Sequence, residues 1–294
     1  MKANYKIVFM LFTCIFLLIF FIADQRTTLK QRNRQNLKWS SDIIYDLENG
    51  RSTKGLVDYI RERYLQAPPT KRIGLHHTKI INIIRNQQST FVDLLLKGKK
   101  NGIFIECGAA DGLVSSKTIF FERERHWTGI LMEVDPFLFK LLNKRNRNAY
   151  LINAAISLSN KSGPVIYEPR STFAGMSLKD SRKQKRDIIE VQSFPFNKIV
   201  QATPFQRVNF LSIEQEQANV KALRSIDYTL VPIDVILVEY NYNRQTERKL
   251  DDIKKLLLDT HLYKFIGTLN KKEAIFARKD IIYKIPSGFR GFSA

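Results

Sequence analysis

The sequence predicts an α/β protein: a Rossmann-like, doubly wound sheet, mostly parallel with an antiparallel last strand, preceded by a transmembrane helix and N-terminal helices. Three observations predict it. From Asn101 onward the short apolar runs GIFIEC, TGILMEV and AYLINA alternate with helical stretches, Ser116 to Arg125 and Pro136 to Arg147. Alternation at that spacing makes a right-handed parallel βαβαβ unit. Further on, IDVILVEY reads as a strongly buried strand. Near the start, Ile7 to Ala23 runs for seventeen residues without a charge.

That first run, IVFMLFTCIFLLIFFIA, is bounded by Lys6 and Asp24. Seventeen helical residues rise about 25 Å, at the short end of what crosses a bilayer. A cleaved signal peptide is the competing reading. The run is longer than the usual apolar core of a signal, about 7–15 residues, and no small-x-small cleavage site follows. The expectation is therefore a flank at 1–6, a retained anchor at 7–23 and a basic stem at 24–40. Lys2 and Lys6 precede the span, whereas Arg26, Lys30, Arg32, Arg34 and Lys38 follow it. By the positive-inside rule the longer part stays cytoplasmic. Short N-terminal anchors with a basic stem often face the secretory lumen instead, so the orientation stays open.

Residues 41–100 form a helical extension. Ile44, Leu47, Leu56, Tyr59 and Ile60 recur at helical spacing, with Gly50 and Ser52 splitting the stretch and Pro68-Pro69 ending it. A second helix is expected over His76 to Leu96, with Ile80, Ile83, Ile84, Phe91 and Leu95 on one side. His76 and His77 have no third metal ligand nearby and read as a solvated helix start.

Residues 101–294 read as one domain. After AYLINA the rhythm breaks between Pro164 and Gln192, where a hairpin and the basic run Lys179 to Arg186 suggest a surface loop or lid. It resumes with VNFLSI, a helix from Glu216 to Ile226, IDVILVEY, and a helix from Glu247 to Asp259. Leu262 to Ile266 and Glu273 to Arg278 close the domain as an antiparallel pair across Asn270-Lys271-Lys272.

The 294 residues carry a net charge of +20 and are 44% apolar. The core is therefore sizeable, and the charge attracts polyanions such as acidic lipid headgroups or acidic proteins. No RNP, zinc-finger or helix-turn-helix pattern accompanies the charge, so nucleic acid is not the favoured partner. Cys14 falls in the anchor and Cys107 in a buried strand, which rules out a disulfide between them at those placements. One glycosylation sequon is present, Asn160-Lys161-Ser162, in an apparent turn.

The chemistry-bearing segment is Glu106-Cys107-Gly108-Ala109-Ala110-Asp111-Gly112. A strand running into such a loop and then a helix brings backbone N–H groups to the carboxyl edge of the sheet. The spacing differs from the G-x-G-x-x-G of dinucleotide sites. Twenty-one residues beyond Gly112 stands Glu133, at the end of the second strand, where an acid accepts the hydroxyls of a ribose. A glycine loop and a ribose acid without a phosphate clamp fit an adenosine on an uncharged or zwitterionic arm. S-adenosylmethionine is the natural candidate.

With these residues the chain resembles the FkbM-type methyltransferase family. The matching segments are FIECGAADG (104–112), WTGILMEVDP (127–136), NAAIS (153–157), PFNKI (195–199) and FLSIEQEQ (210–217). Among such proteins it looks most similar to the membrane-anchored invertebrate relatives of the insect protein Star. The resemblance implies a sheet of the S-adenosylmethionine methyltransferase type. It further implies cofactor contacts from Glu106, Gly108, Ala109, Asp111, Gly112, Glu133, Asp135 and Asn153. The family pattern at the fourth strand is S-x-D-V-E-G; here it reads Ser212-Ile213-Glu214-Gln215-Glu216-Gln217. Glu214 is one methylene longer than the aspartate it replaces, and displacing a carboxylate by an ångström can cost about a hundredfold in rate. Glu214 and Glu216 are the catalytic candidates, with Asp111 as a further base near the donor.

Cys107 reads as an inert core thiol and His126-Trp127 as packing, while Glu239 and Tyr240-Asn241-Tyr242 end a strand at the edge where an acceptor binds. Two functions follow. One is O- or N-methyl transfer to a small molecule or glycan. The other, implied by the Star resemblance, is a non-catalytic role in moving growth-factor precursor cargo from the endoplasmic reticulum to the Golgi. Either places the chain in an endomembrane or the plasma membrane, in contact with lipid.

Overall fold

The computed structural model describes residues 42–47, 49, 55–70, 87–114, 116–167, 172–173, 176–177, 188–214, 219–240, 246–281 and 292–293. The expected anchor and stem, His76 and His77, the basic run 179–186, Glu216, Asn241 and Tyr242 lie outside them. Among the described residues no helix is long and apolar enough to cross a membrane. The chain divides into two units, 1–52 and 53–294. The described part of the first is a short helix over 42–47 followed by a turn, with Asn49 N–H donating to the Tyr45 carbonyl (3.1 Å).

The second unit is built on a nine-stranded sheet. Its centre is β2 (Ile103–Cys107), flanked on one side by β3 (Thr128–Met132) and β4 (Tyr150–Ile152), on the other by β10 (Val208–Ile213) and β11 (Ile233–Glu239). All five run parallel. Beyond β11 come β13 (Glu273–Arg278) and β12 (Tyr263–Leu269); β13 is antiparallel to both neighbours, as the sequence predicts. The two-residue strands β1 (Leu65–Gln66) and β14 (Phe292–Ser293) close the edges. The chain leaves β2 toward β3 and later returns to β10 on the opposite side. The carboxyl end of β2 is thus a topological switch point, where open α/β sheets bind ligands.

The central strands form because they can be buried on both faces. All six residues of β10 are buried, as are four of the five in β2 and in β3. They share a core cluster with an aromatic group: Phe121 is 4.6 Å from Trp127 and 5.5 Å from Phe210, ring centre to ring centre. Trp127 is fully buried and its indole N–H reaches the Lys99 carbonyl (2.7 Å), which satisfies its one polar atom. The helices include α3 (Ile119–Arg125), α4 (Pro136–Asn143) and α7 (Thr246–Asp259), preceded in the chain by α1 (Leu56–Arg63) and α2 (Gln87–Leu95). On either side of β10 in the chain lie α5 (Phe196–Gln201) and α6 (Asn219–Arg224).

Several boundaries move for identifiable reasons. AYLINA is not one strand: it breaks at Asn153, whose amide donates to the carbonyls of Glu133 (2.7 Å) and Val134 (3.2 Å). The chain then turns into β5 (Ala155–Ile156) of a second sheet, ordered β5-β9-β6 with β6 (Gly163–Tyr167) and β9 (Ile189–Phe194). The expected hairpin is the antiparallel pairing of β6 with β9. Between them in sequence, β7 (Thr172–Phe173) and β8 (Met176–Ser177) pair antiparallel. The helix expected from Ser116 starts only at Ile119, because residues 116–118 turn inward to Glu106. The helix expected to reach Arg147 ends at Asn143, because Arg147 enters the core.

Arg147 is 1% exposed. Its Nε donates to Glu122 (2.5 Å), its Nη1 to the Gly112 carbonyl and Ser116 Oγ (3.3 Å), and its Nη2 to Thr118 Oγ1 (3.0 Å). One side chain thus ties the glycine loop, α3 and the approach to β4. Truncating one partner of a buried ion pair costs about 3–5 kcal/mol, since the other charge is left without compensation. Arg147→Met is expected to lower unfolding free energy by about that amount in urea titrations. Adding Glu122→Gln should recover part of the loss, because no charge then remains buried.

Candidate functional site

The site is assembled at the carboxyl edge, where β2 and β3 end side by side. Beyond Cys107 the chain turns sharply, with φ of +87° at Gly108, +53° at Ala110 and +72° at Gly112. A Cβ at Gly108 would stand 2.5 Å from the Glu214 carbonyl oxygen, and one at Gly112 would strike Leu142. Both glycines therefore answer to the protein's own packing as well as to the turn. The Gly108 and Ala109 amides both donate to the Met132 carbonyl (3.0 and 2.9 Å), and the Gly112 amide donates to Ala109 (2.8 Å).

Glu133 completes the turn. One carboxylate oxygen accepts the Ala110 amide (2.7 Å) and the other accepts the Asp135 amide (2.8 Å). The two strand tips are thus in contact through one side chain that is only 4% exposed. A carboxylate has about four lone-pair directions, and the Ala110, Asp135 and Val134 amides do not use them all. Burial pushes the Glu133 carboxyl up to about 7, against the downward pull of the Asp135 and Ala110 amides.

These features fit an adenosine and not a phosphate. The amides of Gly108, Ala109, Ala110 and Gly112 are spent inside the loop, and those of Leu113 and Val114 go to Asp111 Oδ1 (3.1 and 2.9 Å). No nest of amides is left for an anion there among the described residues. A buried acid with acceptor capacity remaining suits paired hydroxyls, whose donated bonds stabilise its charged form.

The other residues expected at the site divide clearly. Asp111 is 2% exposed, caps its own turn and is ion-paired to Arg145. It is therefore committed to holding the loop and not placed as a base. Asp135 caps α4 through Phe137 N–H (2.8 Å) and Leu138 N–H (3.3 Å). Glu106 is turned inward, accepting Ser116 Oγ (2.8 Å), the Lys117 amide (2.7 Å) and Thr118 Oγ1 (2.5 Å). Its position on β2 is at the edge, but its carboxylate braces the segment leading to α3. Ala109 is buried in the core cluster, and Asn153 fixes the β3–β4 exit behind Glu133. Cys107 is fully buried and its thiol is pushed up by burial and by Glu106, so it is not a nucleophile. His126 adopts a left-handed conformation at the end of α3 (φ +57°), a packing and turn position.

Glu214 lies at the β10 tip, its amide bonded to the Cys107 carbonyl (2.9 Å). Its carboxylate is ion-paired to Lys117, a side chain that sequence reasoning missed. Lys117 is 5% exposed. Burial works against its charge, but Glu214, Glu106 and Glu273 outweigh it, so the ammonium is held above its ordinary range. Glu273, at the start of β13 opposite Glu239, is the second missed group. It accepts both carboxylate bonds from the Gln88 amide (2.8 and 2.9 Å), and burial raises it despite Lys117. No local motif flags either residue. Lys117 precedes a helix, and Glu273 opens an inner strand paired with β11 and β12; only the fold unites them.

The sign of the Glu133 shift fixes a pH dependence. Its folded pKa, about 7, lies above its ordinary value of 4.5. Its contribution to stability is therefore complete below about 4.5 and lost as pH rises through 7, on the order of 3 kcal/mol in total. Glu133→Gln removes this titration. Between pH 5 and pH 8 the variant is expected to gain on the parent in urea midpoints; parallel pH curves would contradict the assignment.

A family model described as the methyltransferase FkbM domain matches residues 106–265. No curated protein matches the chain. Among solved structures, a methyltransferase FkbM from Methylobacillus flagellatus KT is similar at 11% identity and a TM-score of 0.44, covering 67% of this chain and 48% of that one. A methyltransferase from Pyrococcus furiosus is similar at 13% identity and a TM-score of 0.35, covering 65% and 82%. The precorrin-6y C5,15-methyltransferase of Geobacter metallireducens GS-15 is similar at 13% identity and a TM-score of 0.36, covering 68% and 92%.

Proposed function

Because the chain belongs to the methyltransferase FkbM domain family, its model matching more than half of the residues, we propose that it binds S-adenosylmethionine at the β2 and β3 tips and transfers the methyl group to an oxygen or nitrogen of a small-molecule or glycan acceptor. The observation that carries this reading is Glu133: a buried carboxylate bridging two strand tips with acceptor capacity left over. The bound cofactor supplies an electrophilic methyl carbon. The protein's part is positioning and proton removal. Glu133 orients the ribose, the backbone of 108–112 walls the crevice, and Asn153 holds the β3 exit in place. Glu214 and Glu273 stand at the same edge as proton acceptors. Burial raises Glu273, which strengthens it as a base.

A second reading is favoured by one observation. Glu214 stands where the family pattern has an aspartate, and Lys117 already holds it in an ion pair. A carboxylate so engaged is not free to take an acceptor's proton, which suits a chain that keeps the ligand site as a scaffold without turnover. In that form the protein would act in transport of precursor cargo between endoplasmic reticulum and Golgi. Both readings include a membrane anchor at residues 7–23, supported by that uncharged run, and a place in the endomembrane system in contact with lipid.

Titration calorimetry with S-adenosylhomocysteine on the detergent-solubilised chain tests the ligand. Glu133→Ala removes hydrogen bonds to a charged acceptor, about 1.5–3 kcal/mol, and should weaken binding about 10- to 100-fold. Equal affinity in parent and variant would remove the crevice assignment. Transfer of a labelled methyl group to an extract of glycans and small metabolites then separates the two readings: incorporation supports the enzyme, and binding without incorporation supports the scaffold.

A further inference from the structure

The sequon Asn160-Lys161-Ser162 plays no part in the proposed cofactor site; the fold exposes Asn160 and Lys161 and half-buries Ser162. It occupies the bend between β5 and β6, in which residues 158–161 are all exposed. The bend is held from within. The Ser157 hydroxyl reaches the carbonyls of Lys161 (2.5 Å) and Ser159 (2.7 Å), and the Ser157 carbonyl accepts the Ser225 hydroxyl (2.8 Å). Asn160 is thereby carried on the outside of a short closed turn. It borders a groove of about 410 Å³ with Arg224, Ile226, Asp227, Thr260 and Leu262. That groove lies where β11 and β12 begin, at the amino edge of the sheet and opposite the Glu133 crevice.

We infer that Asn160 is an N-glycosylation site and that residues 101–294 therefore face the secretory lumen. The inference is independent of methyl transfer. The bond formed joins Asn160 Nδ2 to the anomeric carbon of a polyprenyl-diphosphate-linked oligosaccharide. The bond broken joins that carbon to the diphosphate oxygen, and the lipid diphosphate leaves with the electron pair. The amide proton passes to the transferring enzyme. A hydroxyl two residues on, here Ser162, and a residue other than proline between them are what that transfer requires. Lys161 meets the second condition.

The surroundings give the glycan a physical task. β6 is the outer strand of its sheet, hydrogen-bonded to β9 alone among the described strands. Its Ile166 is 73% exposed, and Leu158 in the adjoining bend is 41% exposed. An unprotected edge with apolar side chains is a template for pairing with another chain. A bulky hydrophilic group beside it blocks that approach. At the opposite edge of the main sheet, the methyl-donor crevice stays clear.

Expression of the full chain in insect cells, followed by peptide N-glycosidase treatment, tests this. The parent should fall in one step on gel electrophoresis. Asn160→Gln and Ser162→Ala should migrate with the treated parent and show no step, whereas Ser162→Thr, which keeps the hydroxyl, should retain it. In heavy-oxygen water the enzyme should convert Asn160 to labelled aspartate in the parent peptide. A parent that does not shift, or a shift that survives Asn160→Gln, overturns the assignment and the lumenal orientation with it.

Discussion

The structure depends on one carboxylate placed between two strand ends. Glu133 receives the Ala110 amide from the loop after β2 and the Asp135 amide from the start of α4, while Met132 beside it receives Gly108 and Ala109. Four backbone donors are thus satisfied by two adjacent residues at one strand end. The glycine loop has no other way to keep its polar groups paired while turning through three positive φ angles. The acid that holds this turn is also the one on which the proposed adenosine site rests.

Around this bridge the interior holds paired, buried charges. Arg147 ties the far end of the loop to α3, and Lys117 joins Glu214 and neighbours Glu273. Buried ions of this kind add little net stability compared with well-packed apolar residues, but they punish alternatives, because any rearrangement leaves a charge alone. They fix how the segment 111–118 crosses from β2 to α3. Glu106 contributes from beneath by taking up Ser116, Lys117 and Thr118. The edge where chemistry is proposed is therefore rigid on its β2 side.

Much of this was legible in the chain. Apolar runs marked β2, β3, β10 and β11 to within a residue or two, since each is buried on both faces and has no reason to alternate. The antiparallel closing pair followed from Asn270-Lys271-Lys272, and the structure has Asn270 and Lys271 both in the left-handed region. Glu133 could be read because its spacing from Gly112 is a property of one βαβ unit. What could not be read was long-range. Lys117, Arg147 and Glu273 meet their partners across 97, 25 and 185 residues, and nothing local distinguishes them from solvated charges. Glu106 and Asp135 lie in the right segments, but local capping and bracing claim their side chains. Asn153 broke a predicted strand because its amide found the β3 exit, a contact invisible to periodicity.

The central claim is that the β2 and β3 tips, bridged by Glu133, hold an adenosine. A crystal structure of the protein with S-adenosylhomocysteine tests it most directly. The account predicts both ribose hydroxyls within hydrogen-bond distance of the Glu133 carboxylate, with the Ala110 and Asp135 amides still in place. A ligand seated elsewhere, or a crevice closed over Glu133 at saturating ligand, would contradict it.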